Sequence, residues 1–245
     1  MASTHRETYS IFIPVYNEEK RLEENVRRAY AELERLGVEY RLYIVDDSSR
    51  DNTGKIGKRL ELELDNLTYL YMPDGPSRRE NLVKAFFLGK GRYIAFFDLD
   101  LSTDLKHLDE LLTRIRGDAD VVTGSRYLPG SELERKVNRR IISFFFNLGI
   151  RILFGTRIRD HECGFKAWKR PVIEELVEVL GYDTTGDRGV FWDTEMLIRA
   201  RQKGLTIQEF PVRWIEGETS ALNVAREKRM IGYVIRFWFR YHGGL

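Results

Sequence analysis

The sequence lacks the features that mark several common classes of protein. A single cysteine, Cys163, leaves no second thiol for an internal disulfide or a thiolate zinc cluster, which fits a reducing compartment. Charge of one sign is not in excess either, because 40 lysines and arginines are balanced by 38 aspartates and glutamates. A nearly neutral chain does not favour a nucleic-acid-binding protein, so we expect no nucleic acid as a partner.

Long apolar runs are absent as well. No stretch reaches the roughly 18 to 20 apolar residues that a membrane-spanning helix needs, and residues 1–5 do not begin a signal-peptide pattern. The length of 245 residues is enough for one large α/β domain with a substantial core. We therefore expect a protein that is soluble or that lies on a membrane surface.

The sequence does contain a repeated alternation of short apolar segments and amphipathic helical patterns. The first helix is predicted to open at Asn17, whose side chain can cap free amides, and to end at Gly37. Strands are predicted at residues 10–15, 40–45, 66–72, 93–97, 120–123 and 207–214. This order predicts an α/β domain over residues 1–222, with a Rossmann-like, mostly parallel sheet flanked by helices.

Three polar clusters occur where predicted strands stop. They are Tyr16–Glu18, Asp46–Ser48 and Asp98–Asp100, and ligands of parallel sheets bind at the carboxyl ends of the strands. Asp98 and Asp100 are alternate residues, which on an extended chain point to the same side. They could share Mg²⁺ or Mn²⁺, whose shell a diphosphate could complete, or they could be solvated acids in a loop.

Two further segments mix basic and apolar side chains. Residues 137–154 are apolar nearly all round with interspersed arginines, which is typical of an ordinary buried helix or of a helix lying in a bilayer interface. Residues 223–245 combine aromatic and basic side chains and predict a second amphipathic helix at a membrane interface. Because the sequence stops soon after this helix, we expect membrane-spanning segments beyond it in a longer protein.

Other polar residues need separate interpretations. The adjacent residues His161–Cys163 are not predicted to bind a metal, because no partner cluster elsewhere has ligand spacing. Asp193 or Thr194 could be the N-cap of the helix that follows, or could take part in chemistry. Arg126 follows the strand predicted at 120–123 and is therefore expected at the same edge of the sheet as the acidic tripeptide.

With these residues the sequence resembles the family 2 glycosyltransferases of the nucleotide-sugar-binding GT-A fold, and most closely the dolichyl-phosphate mannose or glucose synthases. Six blocks over roughly residues 8–222 match in the family's order: Phe12–Glu18, Val45–Ser49, Asp98–Asp100, Gly124–Arg126, Cys163–Lys166 and Trp192–Glu195. The third block corresponds to the family's metal-binding DxD motif. An ordered match of this kind is far more specific than DxD alone.

The resemblance implies roles for the matched positions. The nucleotide base and ribose would be held by Pro14, Tyr16, Glu18, Val45 and Asp47. Asp98, Asp100 and Ser102 would bind Mn²⁺ or Mg²⁺, with Asp100 as the main metal carboxylate and Asp98 contacting the nucleotide sugar. Ser102 stands where the mannose synthases carry a Gln, so water is an alternative third ligand.

Phosphate-binding positions also carry over. The acceptor phosphate or the donor diphosphate would be received by Arg126, Arg139 and Ser143. The family's Asn-x-Gly-Lys-Gly segment before the fourth strand is absent. Its region holds Arg79, Asn81 and Lys84 instead, and the resemblance assigns no role to them.

The implied reaction is an inverting displacement at the anomeric carbon of a nucleotide sugar, at the cytoplasmic face of a membrane. The donor would be GDP-mannose or UDP-glucose, with mannose favoured and glucose next, and the acceptor would be a dolichyl or other polyprenyl phosphate. Candidate catalytic residues are Arg126, Asp193 and Glu195. One alternative is an enzyme that extends a glycan through a sugar hydroxyl, with Asp193 or Glu195 as general base. Another is a nucleotide-sugar-binding module without catalysis.

Overall fold

The structure, a computed structural model, describes residues 8–77, 79–217 and 224–243. In these ranges the strands are β1 (Tyr9–Val15), β2 (Tyr40–Asp46), β3 (Leu67–Tyr71), β4 (Tyr93–Phe97), β5 (Val121–Ser125), β6 (Glu132–Glu134), β7 (Phe165–Lys169), β8 (Ile207–Pro211) and β9 (Arg213–Ile215). The helices are α1 (Leu22–Leu36), α2 (Thr53–Glu63), α3 (Glu80–Phe86), α4 (Leu108–Arg116), α5 (Val137–Phe154), α6 (Arg170–Leu180), α7 (Phe191–Gln202) and α8 (Val224–Gly243).

A seven-stranded sheet in the order β3-β2-β1-β4-β7-β5-β8 organises the chain. All neighbouring strands are parallel except β7, which runs antiparallel to both β4 and β5. This confirms the predicted mostly parallel α/β fold. The sequence analysis did not predict β7, whose register pairs Phe165 with Phe97. Because Phe97 ends β4, this pairing brings the start of β7 beside the acidic tripeptide.

Helices cover both faces of the sheet, as the nearly continuous burial of β1 requires. Ile11 and Ile13 face a core shared with α1, α2 and α4, whereas Phe12 faces a core shared with α3, α6 and α7. Strand residues of period two alternate between faces, so a sheet that is buried on both sides has apolar side chains at successive positions. The apolar run of β4 has the same cause, and all five of its residues are buried.

Three local predictions differ from the structure. Helix α1 begins at Leu22 rather than at Asn17, because Asn17 has φ of +56° and its side-chain oxygen accepts a hydrogen bond from the Arg50 amide (2.8 Å). Asn17 thus joins two loops instead of capping a helix.

The strand predicted at 207–214 divides at Val212 into β8 in the main sheet and β9, which pairs with β6. The strand predicted at 120–123 continues to Ser125. The predicted helix end at Gly37 is confirmed by its left-handed φ of +62°.

Helices α5 and α8 pack together beside the sheet. The Phe154 and Phe237 rings stack with centroids 5.2 Å apart, and the Trp238 indole donates to the Leu153 carbonyl (3.2 Å). The outer side of α5 is exposed, with 62% of Phe145 and 74% of Ile152 accessible to solvent. Residues 137–154 therefore do not form an ordinary buried helix. Among the described residues, neither α5 nor any other helix has the length and apolar character to cross a membrane.

Candidate active site

Two neighbouring cavities open at the carboxyl ends of β1, β2 and β4. One, of about 430 Å³, is lined by Pro14, Val15, Tyr16, Asp47, Pro76, Arg79 and Asp98. The other, of about 270 Å³, is lined by Pro14, Glu18, Arg21, Asp98, Leu99, Asp100, Ser102, Arg135, Trp214, Glu216 and Gly217. The two cavities share Pro14 and Asp98. Of the predicted nucleotide-binding positions, Tyr16 and Asp47 line the larger cavity only, while the predicted metal-binding positions Asp100 and Ser102 line the smaller one only.

The acidic tripeptide forms a turn rather than the extended segment from which its geometry was predicted. The Leu101 amide donates to the Asp98 carbonyl (3.2 Å), and Leu101 has a left-handed φ of +51°. Such a conformation is costly for a bulky residue and clusters at functional sites. The turn brings Asp98, Asp100 and Ser102 to the same cavity, with the Ser102 amide donating to the Asp100 carboxylate (3.0 Å).

The donor set in this cavity fits a hard divalent cation. The Asp98 and Asp100 carboxylates supply oxygen ligands, and the buried Ser102 hydroxyl has no hydrogen-bond partner in the described part of the chain. Oxygen ligands of this kind suit Mg²⁺ and Mn²⁺. Within the same residues, no cluster of three or more histidine, cysteine, aspartate or glutamate side chains could hold a metal. A bound cation would therefore need ligands from a diphosphate or water to complete its shell.

A glycine allows Asp98 to occupy this position. A Cβ atom on Gly164 would lie 1.9 Å from the Asp98 carboxylate, closer than any side chain permits. The Asp98 amide also donates to the Gly164 carbonyl (3.2 Å), which extends the pairing of β4 with β7. The matched block Cys163–Lys166 thus contributes close packing against Asp98.

Arg79 connects Asp98 to a buried carboxylate on α7. Its Nη1 lies 3.2 Å from Asp98 and its Nε 2.9 Å from Asp193, while the guanidinium stacks on Phe96 at 4.8 Å. Lys166, which is fully buried, approaches the other Asp193 oxygen at 3.5 Å. Desolvation in this enclosed site raises the pKa of Asp98, with Asp100 and Asp193 adding to the effect and Arg79 opposing it.

Asp193 and Glu195 have different surroundings although they are two residues apart. Asp193 lies inside α7, which begins at Phe191, so it is not the N-cap, and it joins the Arg79 network. Glu195 is fully buried, accepts two bonds from Arg199 (2.7 and 2.9 Å) and one from the Tyr233 hydroxyl (2.7 Å). Asp193 is thus linked to the larger cavity through Arg79, which lines it, whereas Glu195 is directed towards α8.

The predicted nucleotide-binding positions are only partly brought together. Asp47 accepts hydrogen bonds from the Ser77 amide (2.8 Å) and from the Asn81 side chain (2.7 Å). Tyr16 is exposed at the mouth of the larger cavity. Val45 is 1% exposed and packs in the core on the α3 side of the sheet. Glu18 lines the smaller cavity, where it pairs with Arg21 at 2.6 Å.

Arg126 is held by a buried carboxylate. Its guanidinium makes two bonds to Asp160 (2.6 and 2.7 Å), and its own amide donates to the same group (2.9 Å). Burial acts to lower the pKa of Arg126, but the Asp160 charge outweighs burial, and the pKa is raised. The residue is therefore a fixed cation, and it lines a groove beside α5 rather than either cavity at Asp98.

The two predicted phosphate-binding residues on α5 point toward carboxylates. Ser143 donates to Glu162 (3.1 Å), and Arg139 to Glu216 (2.7 Å). Beside them lies a groove of about 1160 Å³. It is lined by apolar residues such as Ile141, Phe144, Phe145 and Leu148 and by Arg126, Arg140, Arg151, Arg157 and Arg159.

Three cations of the site were not assigned by the sequence analysis. Arg79 and Lys166 contact Asp193, and Arg135 lines the smaller cavity. Lys166 belongs to a matched block, which is a signal for it. Arg79 lies between Ser77 and Glu80, whose capping-box spacing predicts a helix start but no charge partner. Arg135 stands in no such pattern, so the contacts of both arginines follow only from the fold.

Comparisons with known proteins agree with this geometry. Residues 10–177 match the family described as Glycosyl transferase family 2. The chain is 34% identical over 235 residues to glycosyltransferase AglD of Haloferax volcanii, covering 94% of this chain but only 37% of that protein. It is 28% identical to the dolichyl-phosphate beta-glucosyltransferase ALG5C of Trichomonas vaginalis, covering 98% of this chain and 73% of the relative.

Two solved structures share the fold. Glucosyl-3-phosphoglycerate synthase from Mycobacterium tuberculosis, in complex with Mn²⁺, UDP and glucosyl-3-phosphoglycerate, has a TM-score of 0.67 at 16% identity, covering 97% of this chain and 80% of that one. The mannosyltransferase PcManGT from Pyrobaculum calidifontis, in complex with GDP-Man and Mn²⁺, has a TM-score of 0.64 at 21% identity, covering 95% and 65%. Because the family match covers more than half of the residues of this chain, the chain belongs to glycosyl transferase family 2.

Proposed function

We propose that this protein is an inverting glycosyltransferase that moves a hexose from a nucleotide sugar to a polyprenyl phosphate at a membrane surface. The observation that carries the proposal is the meeting of two cavities at Asp98, one lined by predicted nucleotide-binding residues and the other by the predicted metal ligands. The similarity to dolichyl-phosphate glucosyltransferases supports a lipid phosphate as acceptor.

The donor would lie across both cavities. Pro14, Tyr16 and Asp47 line the side proposed for the base and ribose, and Asp98, Asp100 and Ser102 would hold Mn²⁺ or Mg²⁺ at the diphosphate. A divalent cation there stabilises negative charge on the departing diphosphate. The fold relatives solved with Mn²⁺ and a nucleotide or nucleotide sugar support this choice of cofactor.

The surroundings of Asp193 favour a phosphate acceptor over a sugar hydroxyl. A phosphate monoester has a second pKa near 6, so it is mostly ionised at neutral pH and can attack without a base. A hydroxyl would need a general base within hydrogen-bond reach. The Asp193 oxygens already face Arg79 at 2.9 Å and Lys166 at 3.5 Å, and Glu195 faces Arg199 and Tyr233. Glu195 is thus held by its partners, and Asp193 lies between two cations, with its Oδ1 accepting no hydrogen bond from a described residue.

The groove beside α5 has the chemical character that a lipid phosphate requires. Its apolar side chains match a polyprenyl chain, and its arginines, which include Arg126, match a phosphate. Arg139 and Ser143 stand on the adjoining side of α5. The exposed apolar residues of α5 and α8 would keep the groove at the membrane surface, on the cytoplasmic side in our proposal.

The proposal also concerns which hexose the protein transfers. Mannose is the first choice from the sequence resemblance and glucose the second. Two curated relatives are named as dolichyl-phosphate beta-glucosyltransferases, and one fold relative is a mannosyltransferase with GDP-Man. Both donors therefore belong in the test.

The test incubates the purified protein with Mn²⁺, a polyprenyl phosphate and radiolabelled GDP-mannose or UDP-glucose. We expect a labelled lipid with one of these donors and none when EDTA replaces Mn²⁺. Proton NMR of the lipid product reports the anomeric configuration, which should be inverted relative to the donor. Absence of labelled lipid with every donor, in a protein that melts cooperatively, would refute the proposal.

A further inference from the structure

A partly buried arginine lines the metal side of the site, and two of its nitrogen atoms have no hydrogen-bond acceptor among the described residues. Arg135 follows β6 and lines the 270 Å³ cavity together with Asp98, Asp100 and Ser102. Its Nε and Nη1 atoms are shielded from solvent, yet no described residue accepts a hydrogen bond from either. Leaving charged donors unsatisfied in this way is costly. A ligand that supplies acceptor oxygens would remove that cost.

The neighbours of Arg135 hold it in place without satisfying it. The Arg135 guanidinium lies over the Trp214 ring, 5.4 Å from the ring centroid. The Arg126 guanidinium lies at the same distance, 5.4 Å, from that centroid. The nearest carboxylate, Glu216, is 3.5 Å away, which is an ion-pair distance with no hydrogen bond.

Glu216 is already bound by other donors. It accepts hydrogen bonds from Arg139 (2.7 Å) and from the Lys136 amide (3.1 Å). Arg135 is thus a second cation beside a carboxylate that Arg139 neutralises. This second cation lies next to the two aspartates that would hold a metal ion.

An arginine can only donate hydrogen bonds, and its charge and planar fork favour an oxygen-rich anion such as a phosphate as the missing partner. We propose that Arg135 binds the diphosphate of the nucleotide sugar in this cavity; this inference rests on the proposed function. In the transfer, an acceptor oxygen forms a bond to the anomeric carbon while the bond from that carbon to the diphosphate oxygen breaks. The electron pair stays on the diphosphate, and Arg135 donates to the oxygens that gain charge.

The experiment compares nucleotide binding by the wild type, Arg135→Gln, Arg135→Lys and a control, Arg201→Gln, in which an exposed arginine of α7 is changed. Isothermal titration calorimetry with Mn²⁺ present gives Kd for GDP, UDP, guanosine and uridine. We expect Arg135→Gln to weaken binding of the preferred nucleoside diphosphate by about tenfold or more, since hydrogen bonds to charged groups are lost. The Kd of the matching nucleoside should change by less than about twofold.

The conservative variant guards against a merely structural effect. Arg135→Lys keeps the charge but loses the planar fork, so we expect an intermediate Kd. Arg201→Gln should bind like the wild type. An unchanged Kd for both nucleoside diphosphates in a folded Arg135→Gln protein would overturn the inference.

Two other results separate this inference from the proposed function. If the wild type transfers hexose and Arg135→Gln raises only the KM for polyprenyl phosphate, the ligand is the acceptor phosphate and the assignment to the donor is wrong. If the wild type binds neither GDP nor UDP and transfers nothing, the proposed function fails and the inference fails with it.

Discussion

Asp193 and Glu195 show how sharply function can divide between residues that are close in sequence. Residues i and i+2 of an α-helix are rotated by about 200° about its axis, so their side chains point in nearly opposite directions. Asp193 faces Arg79 and Lys166, whereas Glu195 ties α7 to Tyr233 of α8. The sequence block that contains both cannot distinguish them. The structure predicts different consequences for their amide variants.

Asp193→Asn should lower turnover more than Glu195→Gln does. Loss of the Asp193 charge frees Arg79 to shift, and a small misplacement of Asp98 costs about 10- to 100-fold in kcat. Glu195→Gln should lower the free energy of unfolding by about 1–3 kcal/mol, because Arg199 loses its charged partner in a buried position. Initial rates with polyprenyl phosphate and urea titrations measure both. The assignment is wrong if Glu195→Gln loses more kcat than Asp193→Asn while melting normally.

The same variants test the alternative acceptor. If Asp193 were a general base for a sugar hydroxyl, its amide would lose up to about 10⁴-fold in rate. A loss of that size with a glycan acceptor, together with activity towards glycans in the wild type, would favour the alternative function.

At this scale the sequence reveals carboxylates better than cations. Asp98 and Asp100 were found because they follow an apolar strand, although the turn at Leu101, and not an extended chain, brings them together. Arg79 could not be assigned a role, because its partner Asp193 is 114 residues away. A single arginine has no spacing pattern, and only the packing of α3 against α7 and β4 gives it two carboxylate partners.

At the scale of elements, the predictable strands were those that repeat one pattern. Strands β1, β2 and β4 are apolar runs followed by polar clusters. Each was predicted together with the polar cluster at its carboxyl end. Strand β7 was missed because Phe165–Lys169 is short and contains two lysines. Lys166 is buried there only because Asp193 and the Cys163 carbonyl receive its ammonium group. Tertiary partners therefore override the local hydrophobicity signal.

Helices α5 and α8 give an element-scale prediction about membranes. Phe145 and Ile152 of α5 are 62% and 74% exposed, and each buries apolar area if α5 lies in a bilayer interface. The double variant Phe145→Ser with Ile152→Ser should bind vesicles of phosphatidylcholine and phosphatidylserine about 10- to 100-fold more weakly. Co-sedimentation with the vesicles measures the difference.

Leu62 of α2 supplies the matched control. It is 89% exposed, but it stands on a different helix, so Leu62→Ser should bind vesicles like the wild type. Equal binding by the wild type and the α5 double variant would contradict an interfacial role for this helix.

At the scale of the whole molecule, a buried histidine links stability to pH. His161 is fully buried, its Nδ1 pairs with Asn147 of α5 (2.9 Å) and its Nε2 with Thr156 (2.9 Å). Desolvation lowers the pKa of His161 to about 3, with Lys166 and Arg151 acting in the same direction and Asp160 opposing. The imidazole therefore stays neutral in the fold, where it joins α5 to the segment that precedes β7.

The sign of the pH dependence follows from proton binding by the unfolded chain. Between the unfolded pKa of about 6.5 and the folded pKa of about 3, the unfolded chain binds a proton that the folded protein does not. The contribution of His161 to the free energy of unfolding is therefore fully present above about pH 6.5. It falls as the pH is lowered, with a slope that approaches about 1.4 kcal/mol per pH unit. The pKa of Asp160 is lowered too, so its contribution in the same direction begins only at lower pH.

Urea unfolding of the wild type and of His161→Gln at pH 7.5, 6, 5 and 4 measures this contribution. The variant should be less stable than the wild type at pH 7.5, because the buried Asn147 and Thr156 lose well-placed partners. Its stability should fall less steeply between pH 6 and 4, because glutamine does not titrate. His107 remains in both proteins, and its pKa is also lowered by burial, so the difference in slope isolates His161. Equal slopes for the two proteins would mean that folding does not lower the pKa of His161. His161 would then be protonated in the folded protein at low pH, and α5 would be joined to the sheet through a charged group.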